Sequence, residues 1–403
     1  MLNNKFFFND YSFSSKKFNS NLKKTKQAFS SLKTNIDNFE NPLFECFMKS
    51  YVLNFSSQTI GKFSNCKNII IIGMGGSVLG IKAIYSFFKK KINKKIFFFD
   101  NLDENVLVEF KKIKNIKKAC FIVISKAGNT LETLVNLDLV FSKHLFKKNL
   151  IVITEIKDSS LINVANKFGA EIIEHKNFIG GRFSVLSEVG MLPSALMKLN
   201  INQFRNLERL INNKKFVSCL IKNVTTIYSL NTKGIRNSVI LNYNSKMNDL
   251  CFWYQQLVAE SLGKKGKGVT PIISFAPKDH HSILQLYLDG PKDKFFTFFN
   301  SGKKENKYKV RGSVINDNMK FLKNKNLGLI INSQFNATKN VFKLKKIPFR
   351  EFIFKKNNEE ELGMLFTFFI LETILLAKLI NVNPFDQPAV EKVKVETKKI
   401  LSK

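Results

Sequence analysis

Short apolar runs alternate with segments of helical periodicity between residues 66 and 213. The runs are apolar throughout, as strands buried on both faces of a parallel sheet are. The pattern predicts strands at 66–72, 95–100, 119–124, 149–154 and 171–173, and helices at 81–88, 131–144, 160–168 and 185–199. Strands and helices in alternation predict an α/β fold with helices on both faces of a parallel sheet.

A second unit of the same kind begins near residue 214. The pattern predicts helices at 217–230, 246–262, 311–324 and 359–380, strands at 238–242, 270–275, 295–300, 328–331 and 349–354, a lysine-rich loop at 302–310, and a last helix with Pro388 in its first turn. We therefore expect two three-layer α/β/α sandwich domains, at 61–213 and 214–358. A helical segment at 1–60 precedes them, and C-terminal helices at 359–403 complete the site.

Composition indicates where the protein works. A hydrophobic fraction of 44% over 403 residues is normal for a globular core. The most apolar segment, 362–380, carries Glu372 and Lys378, so we interpret it as a buried helix and not a membrane span. The first residues lack a secretory signal, and the five cysteines have neither metal-ligand spacing nor disulfide density. We expect a cytoplasmic protein without a membrane partner.

The formal net charge of +34 raises the question of nucleic-acid binding. The positive charge is nearly all Lys, spread along the chain. Arg, whose planar fork reads phosphates and bases, stands at six positions: Arg182, Arg205, Arg209, Arg236, Arg311 and Arg350. We therefore predict no nucleic-acid partner, and a positive field that speeds the capture of a small anion.

A glycine-rich loop, GMGGSVLG at 73–80, follows the first predicted strand. Its glycines, including Gly76, allow a tight turn and a close approach of the backbone to a ligand, and Ser77 adds a hydroxyl. The loop is similar to the dinucleotide-binding GxGxxG motif, although the spacing differs, and Asp100 ends the next strand where a ribose-binding acid would lie. A nicotinamide-dependent enzyme is therefore one alternative.

The loop ISKAGNTLET at 124–133 joins a buried strand to a helix. Its small, hydroxylic and amide residues would lie at a helix N-terminus, where free N–H groups and the helix dipole favour a phosphate monoester. The alternative is an ordinary strand-to-helix turn with Thr130 as the N-cap.

Two further residues, Arg182 and Glu260, are candidates for chemistry. Arg182 follows two glycines in GGRFS, where it either caps a loop or donates to a substrate oxygen. Glu260 lies near the end of helix 246–262, which Phe252, Trp253 and Leu257 mark as buried on one side. Glu260 is either a partner for the lysines at 264, 265 and 267 or a general base.

The segment DHH at 279–281 contains two of the four histidines. Asp279 is a candidate helix N-cap. Adjacent histidines point in different directions on a helix, and no Cys, His or acidic set has ligand spacing, so we predict no metal site. Lys394 follows Pro388 in the terminal helix and is, by itself, one lysine among many.

Five segments in this order resemble the phosphoglucose isomerase family, whose members consist of two sugar-isomerase (SIS) domains. They are GMGGSVLG, ISKAGNTLET, GGRFSVLSEVG, WYQQLVAESLGKKGKG with DHHSILQLYLDGP, and NPFDQPAVEKVK. The resemblance covers residues 69 to 398. It implies two SIS-type sandwiches with flavodoxin-like parallel sheets, and interconversion of an aldose and a ketose 6-phosphate through a cis-enediol(ate), in glycolysis and gluconeogenesis.

The resemblance also implies roles for single residues. Glu260 is the base, and Arg182 stabilises the enediolate. His281 and Lys394 move the ring-oxygen proton. The hydrogen leaves and returns within one molecule, so no metal or redox cofactor is required. Family members form homodimers in which the histidine reaches the neighbouring subunit's site, and we expect the same of His281.

The remaining site residues implied by the resemblance bind the substrate. Five of them surround the phosphate: Gly76, Ser77, Ser125, Lys126 and Thr130. Asn129 lies in the same turn, and Gln387 contacts the sugar. Ala127 departs from the family, which often has a hydroxyl there, so one phosphate contact is in doubt.

Three alternatives to this function remain at this point. An isomerase that also accepts mannose 6-phosphate is one, and a non-catalytic phosphosugar-binding regulator is another. A glutamine-dependent amidotransferase is disfavoured, because the chain starts with Met1-Leu2 and has no N-terminal cysteine nucleophile. The contacts of Lys264, Lys265 and Lys267 cannot be predicted from the sequence.

Overall fold

Two parallel sheets form the framework of the protein in a computed structural model that describes residues 14–140, 149–302 and 308–403. The first sheet contains β1 (Asn68–Gly73), β2 (Lys95–Phe99), β3 (Cys120–Ile124), β4 (Leu150–Thr154) and β5 (Glu171–Glu174). The second contains β6 (Asn237–Asn242), β7 (Thr270–Phe275), β8 (Lys294–Ser301) and β9 (Phe349–Phe354). Every strand pair in both sheets is parallel, which confirms the predicted α/β class.

The order of the strands places the ligand-binding edge. The first sheet has the flavodoxin-like order β2-β1-β3-β4-β5, and the second has the order β7-β6-β8-β9. In such sheets the chain reverses its winding direction between two neighbouring strands, and ligands bind beyond the carboxyl ends of those strands. The reversal lies between β1 and β3 in the first sheet, so the loops that follow these strands meet at one edge.

Helices surround the sheets. They are α1 (Ser15–Asp37), α2 (Ser57–Phe63), α3 (Leu79–Phe88), α4 (Glu104–Lys111), α5 (Leu131–Leu139), α6 (Ser160–Phe168), α7 (Glu188–Leu196), α8 (Ile201–Phe204), α9 (Leu207–Ile211), α10 (Lys214–Asn231), α11 (Asn248–Leu262), α12 (Leu284–Asp289), α13 (Leu327–Leu344), α14 (Glu359–Leu379) and α15 (Ala389–Leu401). The predicted helix 131–144 and the loop 302–310 extend beyond the described residues.

Two predicted elements are wrong. Residues 328–331, predicted as a strand, belong to α13, whose N-cap Asn326 accepts a hydrogen bond from the Leu329 N–H at 2.7 Å. A short apolar run fits a strand or a buried helix, and here the helical spacing of Phe335 and Phe342 decides. Residues 311–324, predicted as a helix, contain only the 3-10 helix Asp317–Leu322.

One shift in the predicted helix 185–199 bears on the site. The segment begins as a 3-10 helix, Gly181–Leu186, and α7 starts only at Glu188. The Arg182 side chain therefore leaves a tight 3-10 turn and not a loop that leads into a long helix. The C-cap of the 3-10 helix, Ser187, is also the N-cap of α7, so the chain changes direction there.

Helix α14 lies in the core between the two halves of the chain. It packs against α1, α10 and α11, and although it is long and apolar enough to cross a membrane, it is mostly buried in the fold. Its Glu372 accepts two hydrogen bonds from Arg350 of β9, at 2.5 and 2.9 Å, and both side chains are buried. Loss of one member of such a pair typically costs about 3–5 kcal/mol, because the other charge stays buried. The pair fixes α14 on the second sheet.

Candidate active site

Two glycine-containing turns cross at the edge of the first sheet. A Cβ added to Gly76, in the turn after β1, would lie 2.2 Å from the carbonyl carbon of Gly181. The Ser184 hydroxyl donates to the carbonyl oxygens of both turns, at 2.8 Å to Gly181 and 3.3 Å to Gly76. The backbones therefore touch, and this contact holds the 3-10 turn that carries Arg182.

Arg182 is buried and its donors are fully used. Its Nε donates to the Ser261 hydroxyl at 2.9 Å, and its Nη1 donates to Glu260 Oε2 at 3.0 Å and to Gln387 Oε1 at 2.6 Å. Its Nη2 donates to the carbonyl oxygens of two residues of the C-terminal segment, Pro384 and Asp386. One guanidinium thus connects the first sheet, helix α11 and the NPFDQP segment. Burial lowers the pKa of Arg182, and the charge of Glu260 opposes that effect.

Glu260 presents a fixed carboxylate at the end of α11. Oε2 accepts from Arg182, and Oε1 accepts from the Gln256 amide at 2.9 Å. The side chain is still 33% exposed, so a ligand can reach it. Each oxygen keeps a further lone pair, which is what a general base needs. The expectation that Phe252 marks the buried side of this helix is wrong, since it is 42% exposed while Trp253 and Leu257 are buried.

The lysines after α11 hold the C-terminal segment in place. Lys264 donates to the carbonyl oxygens of Ser261 and Asn383 and pairs with Asp386 at 3.0 Å. Lys267 donates to the carbonyl oxygen of Ile380 at 3.0 Å. The hydrogen bond from Lys264 lowers the pKa of Asp386. These contacts position Gln387 beside Arg182.

The loop after β3 brings two hydroxyl groups together at the start of α5. The hydroxyls of Ser125 and Thr130 lie 2.8 Å apart, and Thr130, although it is the N-cap of α5, makes no capping hydrogen bond with its side chain. Gly128 has a φ of +74°, and a Cβ there would lie 2.2 Å from Ser159 Oγ. Only glycine fits this turn.

Two residues of this loop have contacts that brace it from outside. Lys126 Nζ donates to the carbonyl oxygen of Asn177 at 2.6 Å and lies 3.8 Å from Glu155, and burial lowers its pKa. Asn129 Oδ1 accepts from the Ser160 N–H at 2.9 Å, at the start of α6.

His281 and Lys394 lie apart from this cluster. His281 is exposed in the 3-10 turn Lys278–His281, and within the described ranges no contact joins its side chain to Arg182 or Glu260. Lys394 lies on α15, 68% exposed, and pairs with Glu391 at 3.2 Å. Asp279 is not the predicted helix N-cap: it lies inside the 3-10 turn and accepts from the Ser274 hydroxyl and the Phe275 N–H, at 2.8 and 2.6 Å.

Gln256 is the site residue that the sequence analysis did not single out. Its Nε2 holds Glu260, and its Oε1 is buried with no partner in the described part of the chain. The position four residues before Glu260, on the same face of the helix, was the available signal. Asp100, the candidate ribose-binding acid, instead pairs with Lys82 at 2.8 Å. The described residues contain no group of three or more His, Cys, Asp or Glu that could hold a metal ion.

The crossing of the two turns gives a prediction. We expect Gly76→Ala to destabilise the protein by about 1–3 kcal/mol, because its methyl group overlaps backbone atoms that cannot rotate away. Gly181→Ala is the matched control: its Cβ would meet its nearest neighbour at 3.7 Å, an ordinary contact. Denaturant unfolding of both variants measures the difference, and equal stability of the two would contradict the crossing geometry.

Solved structures with the same fold are known. A hypothetical protein from Thermus thermophilus superposes with a TM-score of 0.83 at 24% identity, over 96% of this chain and 98% of that one. A glucose-6-phosphate isomerase from Chlamydia trachomatis superposes with a TM-score of 0.72 at 17% identity, over 86% of this chain and 72% of that one. At these identities the similarity establishes the fold.

Sequence similarity establishes the family. A probable glucose-6-phosphate isomerase from Methanococcus maripaludis is 34% identical over 85% of this chain and 79% of its own length. A glucose-6-phosphate isomerase from Methanocaldococcus jannaschii is 33% identical, over 81% of this chain and 82% of its own length. The phosphoglucose isomerase family profile matches residues 44–278. These matches agree with the resemblance deduced from the sequence and not with its alternatives: the chain belongs to the phosphoglucose isomerase family.

Proposed function

We propose that the protein interconverts glucose 6-phosphate and fructose 6-phosphate. The observation that carries the proposal is the position of the Glu260 carboxylate, 3.0 Å from the buried Arg182 guanidinium. The pair lies at the edge of the first sheet, near the loops that follow β1 and β3. A base beside a fixed cation suits proton abstraction next to a carbonyl, because the base takes the proton and the cation stabilises the oxyanion that forms. Membership of the phosphoglucose isomerase family supports the same reaction.

The reaction moves one proton between two carbon atoms. Glu260 takes the proton from C2 of the open-chain aldose, and the electrons of the C–H bond form the double bond of a cis-enediol(ate). The charge of the buried Arg182, whose five N–H donors are already engaged by protein groups, stabilises the negative charge of the enediolate electrostatically. The hydroxyl proton moves from O2 to O1, and Glu260 returns its proton to C1, which leaves the carbonyl at C2 and gives the ketose. General base catalysis typically contributes about 10² to 10⁴ in rate.

The phosphate end of the substrate lies in the two loops of the first sheet. The hydroxyl pair of Ser125 and Thr130 can turn its donors outward to a phosphate, and Gly76 and Ser77 lie in the turn that follows the neighbouring strand, β1. The contacts of Lys126 and Asn129 support a bracing role for both, with the Lys126 charge still close to the anion. Ala127 is exposed and offers no hydroxyl.

Ring opening is assigned to His281 and Lys394, with His281 acting in the site of a second subunit. The exposure of His281 and its position after β7, an edge strand, support this arrangement. Lys394 lies on a helix whose apolar residues are exposed in the single chain: Val390, Val393, Ile400 and Leu401. A homodimer would complete the site and cover apolar surface of this kind.

The activity also bears on the cellular location, the oligomeric state and the domain organisation of the enzyme. We propose a cytoplasmic homodimer that acts in glycolysis and gluconeogenesis, with domains at 61–213 and 214–358. The α11 and NPFDQP contacts with Arg182 support a site built from both domains and the C-terminal helices. The positive net charge of +34 would attract hexose phosphates.

Replacing the base tests the activity. In a coupled assay that converts fructose 6-phosphate to glucose 6-phosphate, we expect Glu260→Gln to lower kcat by about 10² to 10⁴, because glutamine cannot accept the proton. Phosphosugar binding, measured by calorimetry, should stay within about threefold because the phosphate loops are unchanged. The matched control is Glu109→Gln, an exposed glutamate on α4.

Three results would contradict the proposal or refine it. Retained turnover of Glu260→Gln would remove this residue from the base role. Tight phosphosugar binding by a wild-type protein without turnover would indicate a regulator. Turnover of mannose 6-phosphate in the same assay would identify a dual-specificity isomerase.

Mixing two inactive variants tests the shared site. Glu260→Gln and His281→Ala chains, co-expressed at equal levels, should recover about a quarter of the wild-type activity. The reason is that half of the dimers are mixed, and each mixed dimer has one site with both residues intact if His281 acts across the interface. Each variant alone is the control. No recovery in mixtures that do form mixed dimers would show that His281 does not act in the partner's site.

A further inference from the structure

The turn that carries His281 is anchored at two points, the side chain of Asp279 and the side chain of His280. Asp279 holds the start of the turn through the Ser274 hydroxyl and the Phe275 N–H. The second anchor is His280, whose Nε2 lies 2.6 Å from the Tyr243 hydroxyl. The family resemblance implied no role for His280, and the proposed reaction does not use it.

The protons in this second anchor can be placed from the hydrogen bonds. The Thr338 hydroxyl donates to the carbonyl oxygen of Gln334 at 2.9 Å, so it has no proton left for Tyr243 and must accept. Tyr243 therefore donates to Thr338, at 2.9 Å. Its oxygen must then accept from His280, so His280 carries its proton on Nε2. The chain runs in one direction, from His280 through Tyr243 and Thr338 to the backbone of α13.

The surroundings keep this chain in place. Tyr243 follows β6 directly, continues its ladder through an N–H bond to the Phe299 carbonyl oxygen, and is only 6% exposed. The Phe335 ring of α13 packs edge-on against the Tyr243 ring, with centroids 5.3 Å apart. Burial raises the pKa of Tyr243 to about 12, so the phenol keeps its proton. Burial, followed by the charge of His281, lowers the pKa of His280.

We propose that His280 is a positioning residue that fixes the orientation of His281 through the hydrogen-bond chain to Tyr243, Thr338 and α13. Neighbouring side chains in a tight turn point in different directions, so a His280 directed inward holds His281 outward, toward solvent or a second subunit. The proposal rests on the ring-opening role given to His281 under the proposed function. It adds α13, which is far from Glu260 in sequence, to the elements that shape the site.

The consequence is kinetic. Ring opening needs the His281 imidazole at one distance and angle to the ring oxygen, and a misplacement of about 1 Å can cost on the order of 10²-fold in rate. Loss of the His280 anchor leaves the phosphate loops of the first sheet unchanged. The effect should therefore appear in the kcat of ring opening and not in KM.

The test measures anomerisation of glucose 6-phosphate, which needs ring opening but no proton transfer at carbon, by NMR exchange in the Glu260→Gln background. We expect His280→Leu and Tyr243→Phe each to lower the anomerisation kcat about tenfold or more, with KM within about twofold. His280→Gln keeps an N–H donor of similar reach and should stay within about threefold of the parent. The double variant should lose little more than either single variant, because both break the same chain.

Controls separate this proposal from a folding effect and from the proposed function. Tyr228→Phe removes a hydroxyl outside the chain and should change nothing. His280 lies nearer the surface than Tyr243, so His280→Leu keeps the test valid if Tyr243→Phe does not fold. If His281→Ala lowers anomerisation but His280→Leu does not, or if His280→Gln is as damaging as His280→Leu, the positioning role is overturned. If His281→Ala leaves anomerisation unchanged, the ring-opening assignment fails, and the positioning role fails with it.

Discussion

The buried guanidinium of Arg182 is the interaction on which the site depends. A buried charge is stable only when it is paired and its donors are satisfied, and here the donors reach a carboxylate, an amide oxygen, a hydroxyl and two carbonyl oxygens. These partners come from α11 and from the C-terminal segment, which are distant in sequence. The planar fork of arginine is suited to contacts in several directions at once, and a lysine ammonium is not. Glu260 can therefore be partly exposed and still be fixed.

The two sheets divide the work of the site. The first supplies the loops after β1 and β3, which meet because the winding of the sheet reverses between these strands. Under the proposed function, these loops hold the phosphate end of the substrate, which does not react. Helix α11 supplies the carboxylate, and the close crossing of Gly76 and Gly181 fixes the distance between the two groups of residues. The position of the carboxylate thus depends on a contact between backbones that requires glycine at position 76.

The sequence predicted the alternation of strands and helices well, because strands buried on both faces leave continuous apolar runs. Arg182, Glu260 and Gln387 were also predicted to belong to one site. In the structure Arg182 does contact both of the other residues. Periodicity failed at 328–331, where a short apolar run suits two structures and the helical spacing of Phe335 and Phe342 decides. It failed at Phe252, which is 42% exposed although Trp253 and Leu257 of the same helix are buried.

Other features depend on contacts that no local pattern encodes. The chain from His280 through Tyr243 and Thr338 to α13 requires the three-dimensional structure. The anchor at Asp279 does as well, because its partners lie on β7. In the described part of the chain no hydrogen bond or ion pair joins His281 or Lys394 to Glu260, and these residues lie on the turn after an edge strand and on the last helix.

The most direct test of this account is the kcat of Arg182→Lys. The substitution keeps the positive charge but removes the planar fork that joins α11 and the C-terminal segment. We predict that kcat falls by about 10² or more while the protein remains folded. Arg209→Lys, at an exposed arginine paired with Glu360, should leave kcat unchanged. A kcat for Arg182→Lys within about threefold of the wild type would show that charge alone suffices and would contradict the account.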